Sequence, residues 1–161
     1  MIVTRHQTLH QGDRLENKIG LVIIHGDAGK SDEGTINWIT TGPKPVSYHY
    51  LVGRTGKVHQ FVDEEKKAWH AGISHWPTFT VAKSVNARSV GVAFANDGAE
   101  PYRDVQYEVG AELVAEICKR HGITLDRVIG HADVSAPRKT DPWAHFNWGL
   151  FRKLLAARGV A

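Results

Sequence analysis

Apolar residues in this chain of 161 fall into short runs separated by polar and glycine-rich stretches, and the spacing of those runs predicts its elements. Residues 21–24, Leu-Val-Ile-Ile, form a continuous, largely β-branched run after Gly20 and read as a fully buried strand. Residues 89–95 and 128–130 read the same way. Residues 48–52 and 57–62 flank Gly53-Arg54-Thr55-Gly56, a turn-rich linker that predicts a β-hairpin. Helical spacing is clearest over 104–121, where Val105, Val109, Leu113, Val114, Ile117 and Cys118 share one face and Gly122 ends the helix. A shorter helix over 33–40 takes Ser31 or Asp32 as its cap, turns Ile36 and Ile39 inward and stops at Gly42-Pro43. A last helix over 145–158 buries Phe146, Leu150, Phe151 and Leu154. Residues 1–18 read as a polar arm laid across the domain, 63–88 as a structured surface loop, and 131–143 as an irregular loop.

Short strands interleaved with helices predict an α/β fold, a central mixed β-sheet with helices packed on it. The length and the 42% apolar content suit one domain, 1–161, with its core over about 19–155. The formal charge of +3 suits a polyanionic partner, either nucleic acid or an anionic cell wall. No Lys/Arg-rich run favours nucleic acid, so none is expected. The single cysteine, Cys118, leaves no disulfide framework and no thiolate cluster, and its place on an apolar helix face gives it a packing role. No stretch has the length of a membrane span, and Met1-Ile2-Val3-Thr4-Arg5-His6-Gln7 lacks the apolar core of a signal peptide. Synthesis in the cytoplasm, no membrane insertion and a monomer are therefore expected.

His25 closes the first buried run and His131 closes the run 128–130, with Asp141 ten positions further on in Arg138-Lys139-Thr140-Asp141-Pro142. If the three converge, two imidazoles and a carboxylate suffice for a catalytic zinc with an open fourth position, and the chain is a metal-dependent hydrolase. The alternative is a satisfied polar residue at each sheet edge. With ten histidines in the chain, two at strand ends do not choose between these readings.

The motifs around them carry more. Ile23-Ile24-His25, Ser47-Tyr48-His49-Tyr50, Ala68-Trp69-His70-Ala71-Gly72, Asn86-Ala87-Arg88-Ser89-Val90-Gly91-Val92, Gly130-His131-Ala132-Asp133 and Arg138-Lys139-Thr140-Asp141-Pro142 occur in that order. Together, over about 19–155, they resemble the type 2 N-acetylmuramoyl-L-alanine amidases, a family that includes phage endolysins, AmpD-type cytosolic amidases and the peptidoglycan recognition proteins. The resemblance implies one zinc ion held by His25, His131 and Asp141. It further implies cleavage of the amide between N-acetylmuramic acid and L-alanine of the stem peptide, with peptidoglycan or muropeptides as partner. It places a functional lysine at Lys139, where an ammonium would stabilise the oxyanion. Trp69, His70 and Asn86 match a segment lining the substrate groove, although a Trp-His pair could equally anchor its loop. Asp133 could orient His131 or cap a turn, and His49, His59, His75 and His145 are given no role beyond structure or surface.

Two departures from the family pattern matter. AmpD-type members carry a catalytic glutamate on the strand over 89–95, at the place of Ala93. Endolysins of the family use a tyrosine matching Tyr48, which is present. The family often has Asn, Thr or Cys after the first histidine, where this chain has Gly26-Asp27. Tyr48 and Ala93 make a phage or prophage endolysin, acting on the wall after release, the leading expectation. A cytosolic muropeptide-recycling amidase and a non-catalytic peptidoglycan-binding module are the alternatives.

Overall fold

The computed structural model describes residues 1–14, 18–78 and 84–161. Among the described residues, six strands form the central sheet: β1 (Val3–Arg5), β3 (Leu21–Gly26), β4 (Tyr50–Val52), β5 (Val58–Gln60), β7 (Ser89–Phe94) and β8 (Val128–Gly130). Two short ones, β2 (Gln11–Asp13) and β6 (Lys66–Ala68), pair antiparallel in a small second sheet. The central order is β1-β5-β4-β7-β3-β8. The β4–β5 hairpin is antiparallel and every other pairing is parallel, so the sheet is mixed, as expected.

The period of two along β3 and β7 sorts the side chains onto two faces. Val22, Ile24, Val90, Val92 and Phe94 point to the side covered by α3 (Asp104–His121) and α5 (Trp148–Ala157), where Tyr107, Leu113, Ile117, Phe151 and Leu155 complete the larger core. Leu21 and Ile23 point to the opposite side, against Ala71, Val85, Ile129 and Val134. Leu51 and Ala93 share that side with Ile39 of α1 (Asp32–Thr41). His25, two residues beyond Ile23, therefore belongs to this second face. The matching face of β7 reads Ser89-Gly91-Ala93, three small residues that leave a shelf. A Cβ at Gly91 would stand 2.6 Å from the His70 ring, so only glycine lets that imidazole lie on the sheet.

The three main helices have local causes. Ser31 caps α1, its hydroxyl accepting from Gly34 N–H at 3.0 Å. Gly122, at φ 64°, turns the chain out of α3 and returns its N–H to Cys118. Asn147 caps α5 by accepting from Leu150 N–H at 2.9 Å.

Several expectations are corrected. The polar arm holds two strands. Each has three residues, too few to show a period, and β1 exposes Thr4 and Arg5 as a charged sheet edge does. Residues 15–17 of that arm and 79–83 of the expected surface loop lie outside the described residues; the rest of that loop holds β6 and the turn of helix α2 (Ser84–Ala87). His131 begins a short helix, α4 (His131–Ser135), where an irregular loop was expected. The last helix starts at Trp148, so Phe146 is buried ahead of it. Val105 is exposed because the buried face of α3 begins with Gln106 and Tyr107, and Val105 lies to its side. Tyr48 precedes β4, and β7 lies between β4 and β3.

Candidate metal centre

His25, His131 and Asp141 come together at the C-terminal ends of β3 and β8, where a parallel sheet opens a crevice. One potential ligand atom from each lies within 4.8 Å of the others, and all three residues are buried. His25 Nδ1 is 3.3 Å from Asp141 Oδ2, and His131 Nδ1 is 3.0 Å from Asp141 Oδ1. The chain returns Asp141 to this point through Ala132 N–H, which donates to the Asp141 carbonyl at 3.0 Å. Burial lowers the His25 pKa to about 4, against the opposing pull of Asp141. Burial acts to raise the Asp141 pKa, but the two imidazoles beside it prevail and the group is lowered. The pair is thus a neutral imidazole beside an ionised carboxylate, the protonation that cation ligands need.

The other ring nitrogens are already committed. His131 Nε2 lies 3.1 Å from the Ala71 carbonyl, which can only accept, so Nε2 carries the hydrogen. Ser89 Oγ donates to the Val85 carbonyl at 2.5 Å and has one hydrogen to give, so it accepts from His70 Nε2 at 3.1 Å. His70 Nδ1 is then bare and accepts from His25 Nε2 at 2.9 Å. Both Nδ1 lone pairs consequently face the Asp141 carboxylate. Lone pairs converging on an anion are unfavourable unless a cation sits among them, so the donor set fits zinc by its chemistry as well as its count.

A cleft of about 440 Å³ opens over these atoms, lined among others by Tyr48, Trp69, His70, Arg138, Lys139 and Trp143. Tyr48 lays its ring 5.1 Å from that of His25. Its neighbours are tied down: Ser47 N–H donates to the Trp69 carbonyl at 3.1 Å and His49 N–H to the Gly91 carbonyl at 3.0 Å. Burial, with Asp141 and Asp27 nearby, pushes the Tyr48 phenol far above its ordinary pKa, so it stays a donor. Lys139 is exposed on the rim, and its charge contributes to the lowering of His25. A larger cavity of about 620 Å³ beside β1, lined by Arg5, Thr8 and Phe61 among others, is formed without any of these residues.

The remaining sequence candidates divide. Trp69 and His70 do line the cleft, but both His70 nitrogens are spent inside the protein. Asn86 turns its Oδ1 to the backbone N–H groups of Ala71, at 2.8 Å, and His70, at 3.3 Å. Asp133 takes the capping role, accepting from Gly130 N–H at 2.7 Å. His49 accepts from Gly91 N–H at 2.9 Å and is held neutral mainly by burial, its pKa lowered to about 3. His59 pairs with His6 at 3.0 Å, and His145 stacks between Trp143 and Tyr102.

Three participants had no signal in the sequence reading. Ser89 and the Ala71 carbonyl lie within quoted motifs, but a motif does not say which atoms meet. Trp143 follows the Asp-Pro pair at φ 64°, a left-handed conformation costly for a bulky residue, and leans over Gly26.

A family model for N-acetylmuramoyl-L-alanine amidases matches residues 15–144. The 1,6-anhydro-N-acetylmuramyl-L-alanine amidase AmpD of Haemophilus influenzae is 38% identical over 104 residues, 64% of this chain and 55% of that protein. The chain thus spans about half the length of the curated AmpD proteins it matches. A crystal structure of a selenomethionine AmpD derivative superposes with a TM-score of 0.79 at 26% identity, covering 95% of this chain and 94% of that one. The Escherichia coli amidase AmiD, in a complex with anhydro-N-acetylmuramic acid-L-Ala-D-gamma-Glu-L-Lys, gives a TM-score of 0.75 at 30% identity, covering 89% of this chain and 58% of that one. PlyL, at 18% identity and a TM-score of 0.76, shares the fold. Sequence identity therefore runs to AmpD and AmiD more strongly than to this last protein, against the leading expectation of an endolysin.

Proposed function

The chain belongs to the N-acetylmuramoyl-L-alanine amidase family, and from that premise we propose that it hydrolyses the amide joining the lactyl group of N-acetylmuramic acid to L-alanine in soluble muropeptides. The observation that carries this reading is the convergence of His25, His131 and Asp141 within 4.8 Å at the floor of an open cleft. One zinc ion held by the two Nδ1 atoms and an Asp141 oxygen would supply a Lewis acid for the scissile carbonyl and a water acidified toward neutral pH. Lys139 faces the same cleft from the rim, where its ammonium offsets negative charge developing on the carbonyl oxygen. Tyr48, kept un-ionised, donates a hydrogen bond to the reacting oxygens and does not serve as a base. Arg138 and Lys139 give the rim a positive charge that suits the carboxylates of a stem peptide.

Soluble muropeptides are favoured over intact wall because AmpD, by its name, acts on 1,6-anhydro-muramyl-L-alanine compounds and AmiD has been captured with one. One observation favours a wall-lytic enzyme: the Tyr48 ring lies beside His25 while Ala93 stands opposite His25, where the family resemblance implies a glutamate in AmpD-type members. The two readings separate when the zinc-loaded protein is incubated with anhydromuropeptide and with purified sacculi, and the products are read by mass spectrometry. Free stem peptide with an L-alanine N-terminus from the soluble substrate supports the proposal. Release from sacculi alone supports the lytic reading, and release from neither defeats both.

A further inference from the structure

Each histidine of the candidate centre meets, through its far ring nitrogen, a partner fixed by the surrounding fold. Ser89 is completely buried, and its hydroxyl is polarised by the Val85 carbonyl of α2 at 2.5 Å. That bond leaves Ser89 Oγ only an acceptor's role toward His70 Nε2, which in turn leaves His70 Nδ1 only an acceptor's role toward His25 Nε2. The proton sequence runs one way, and it ends with a bare His25 Nδ1. Asn86, also of α2, clamps the N–H groups of His70 and Ala71. The Ala71 carbonyl lies 3.1 Å from His131 Nε2, which leaves His131 Nδ1 bare by the same logic. Arg138 Nη2 and Ser135 Oγ donate to that carbonyl too, at 2.7 and 3.2 Å, so it is fixed from three sides.

We infer that Ser89, acting through His70, is a positioning residue that sets the tautomer of the metal-binding His25, as the Ala71 carbonyl sets that of His131. The inference deepens the zinc reading and depends on it for its purpose, but its geometry lies outside the ion. The hydrogen bonds that a metal-bound imidazole makes through its far nitrogen typically change metal affinity about 10–100-fold when lost. If Ser89 loses its hydroxyl, His70 has no acceptor at Nε2 and can place its hydrogen on Nδ1. His25 Nε2 must then accept, and its own hydrogen moves to Nδ1, where it blocks a cation.

The test compares wild type, Ser89→Ala, His70→Gln and His70→Leu. Glutamine keeps an acceptor for His25 and a donor for Ser89; leucine has neither. Zinc affinity is measured by competition with a chromophoric chelator, and the tautomers by the ¹⁵N shifts of the imidazoles in zinc-free and zinc-loaded protein. Expected are hydrogens on Nε2 of both His25 and His70 in wild type and zinc binding about 10–100-fold weaker in Ser89→Ala and His70→Leu. His70→Gln should bind within a few-fold of wild type, a rescue that simple filling of space would not give. Thermal melts of the zinc-free variants identify any loss of fold. A wild-type His70 carrying its hydrogen on Nδ1, or wild-type zinc affinity in Ser89→Ala, would overturn the inference. Failure of wild type to bind zinc would instead overturn the metal reading, and the zinc-free spectra would still decide the tautomers.

Discussion

Replacing Glu64 by glutamine should remove a pH-dependent brace on the far side of the sheet from the cleft. Glu64 is buried just after the β4–β5 hairpin. Its carboxylate accepts from the Tyr50 hydroxyl at 2.7 Å and from Arg120 Nη2 at 2.6 Å, and it meets His121 Nε2 at 2.5 Å. Burial acts to raise its pKa, but these donors prevail and bring it from an ordinary 4.5 down to about 2. A depression of that size corresponds to ~3.4 kcal/mol at about 1.36 kcal/mol per pH unit. The Arg120 side chain is 46% exposed, so solvent screens part of its share and ~2–3 kcal/mol is the working figure. For a carboxylate depressed in the folded state, this stability is complete above the unfolded pKa and disappears as the pH falls toward the folded one. Urea unfolding of zinc-free wild type and Glu64→Gln should therefore differ by ~2–3 kcal/mol at pH 7, or roughly 4–12 °C in melting temperature. Between pH 4.5 and 2 the gap should close. A gap below ~0.5 kcal/mol at pH 7, within the ordinary range of surface changes, or one unchanged at pH 3, would refute the reasoning.

Lys139→Ala should lower kcat by about a hundredfold or more, the loss typical of a missing oxyanion donor, with zinc content and melting temperature unchanged; half of the wild-type rate would return Lys139 to the solvated surface. Tyr48→Phe should keep zinc and fold but lose most amidase activity, and sacculus or muropeptide hydrolysis at the wild-type rate would remove its hydroxyl from the mechanism. Gly26→Ala places a Cβ 2.1 Å from the Trp143 ring; overpacking of this kind costs ~1–3 kcal/mol, and Trp143 should move off the cleft rim, seen as a shift in tryptophan emission. An unshifted spectrum with full stability would mean the ring is not seated on Gly26.

How much of this was legible in the sequence depended on how many neighbours an element needs. Helix α3 was readable end to end because eighteen residues repeat one face and Gly122 marks the stop. The hairpin was readable because its turn is local. Strands β1 and β2 were not, since each has three residues and gains its identity from a partner more than fifty positions away. The same rule governs the site. His25, His131 and Asp141 were identified through motifs around each, and the structure brings them together. His70 and Asn86 were read as groove residues because the sequence shows their polarity but not where it is spent. Their partners, Ser89 and the backbone at 70–71, are known only once β7 and α2 are side by side.

The pairing of Tyr48 with Ala93 is the departure that most constrains the chemistry, and the register explains why the two residues go together. Ala93 lies opposite His25 on one side and Leu51 on the other, fully buried, in the cluster against which the Tyr48 ring packs. A longer side chain at 93 would enter the cluster against which the phenol packs. If the two side chains share that space, a carboxylate at 93 and a ring at 48 compete for it. Ala93→Glu alone should be strongly destabilising, because it adds volume and an unpaired charge to an apolar cluster beside His25. Tyr48→Phe/Ala93→Glu should be no better, since phenylalanine fills the same space. Tyr48→Ala/Ala93→Glu should cost at least ~1 kcal/mol less than the two single changes added together, a coupling expected of side chains competing for one site. Urea unfolding of the four proteins in that cycle measures the coupling directly. Additivity within ~0.5 kcal/mol would show that positions 48 and 93 do not share a volume. The absence of a glutamate would then need a different cause from the presence of the tyrosine.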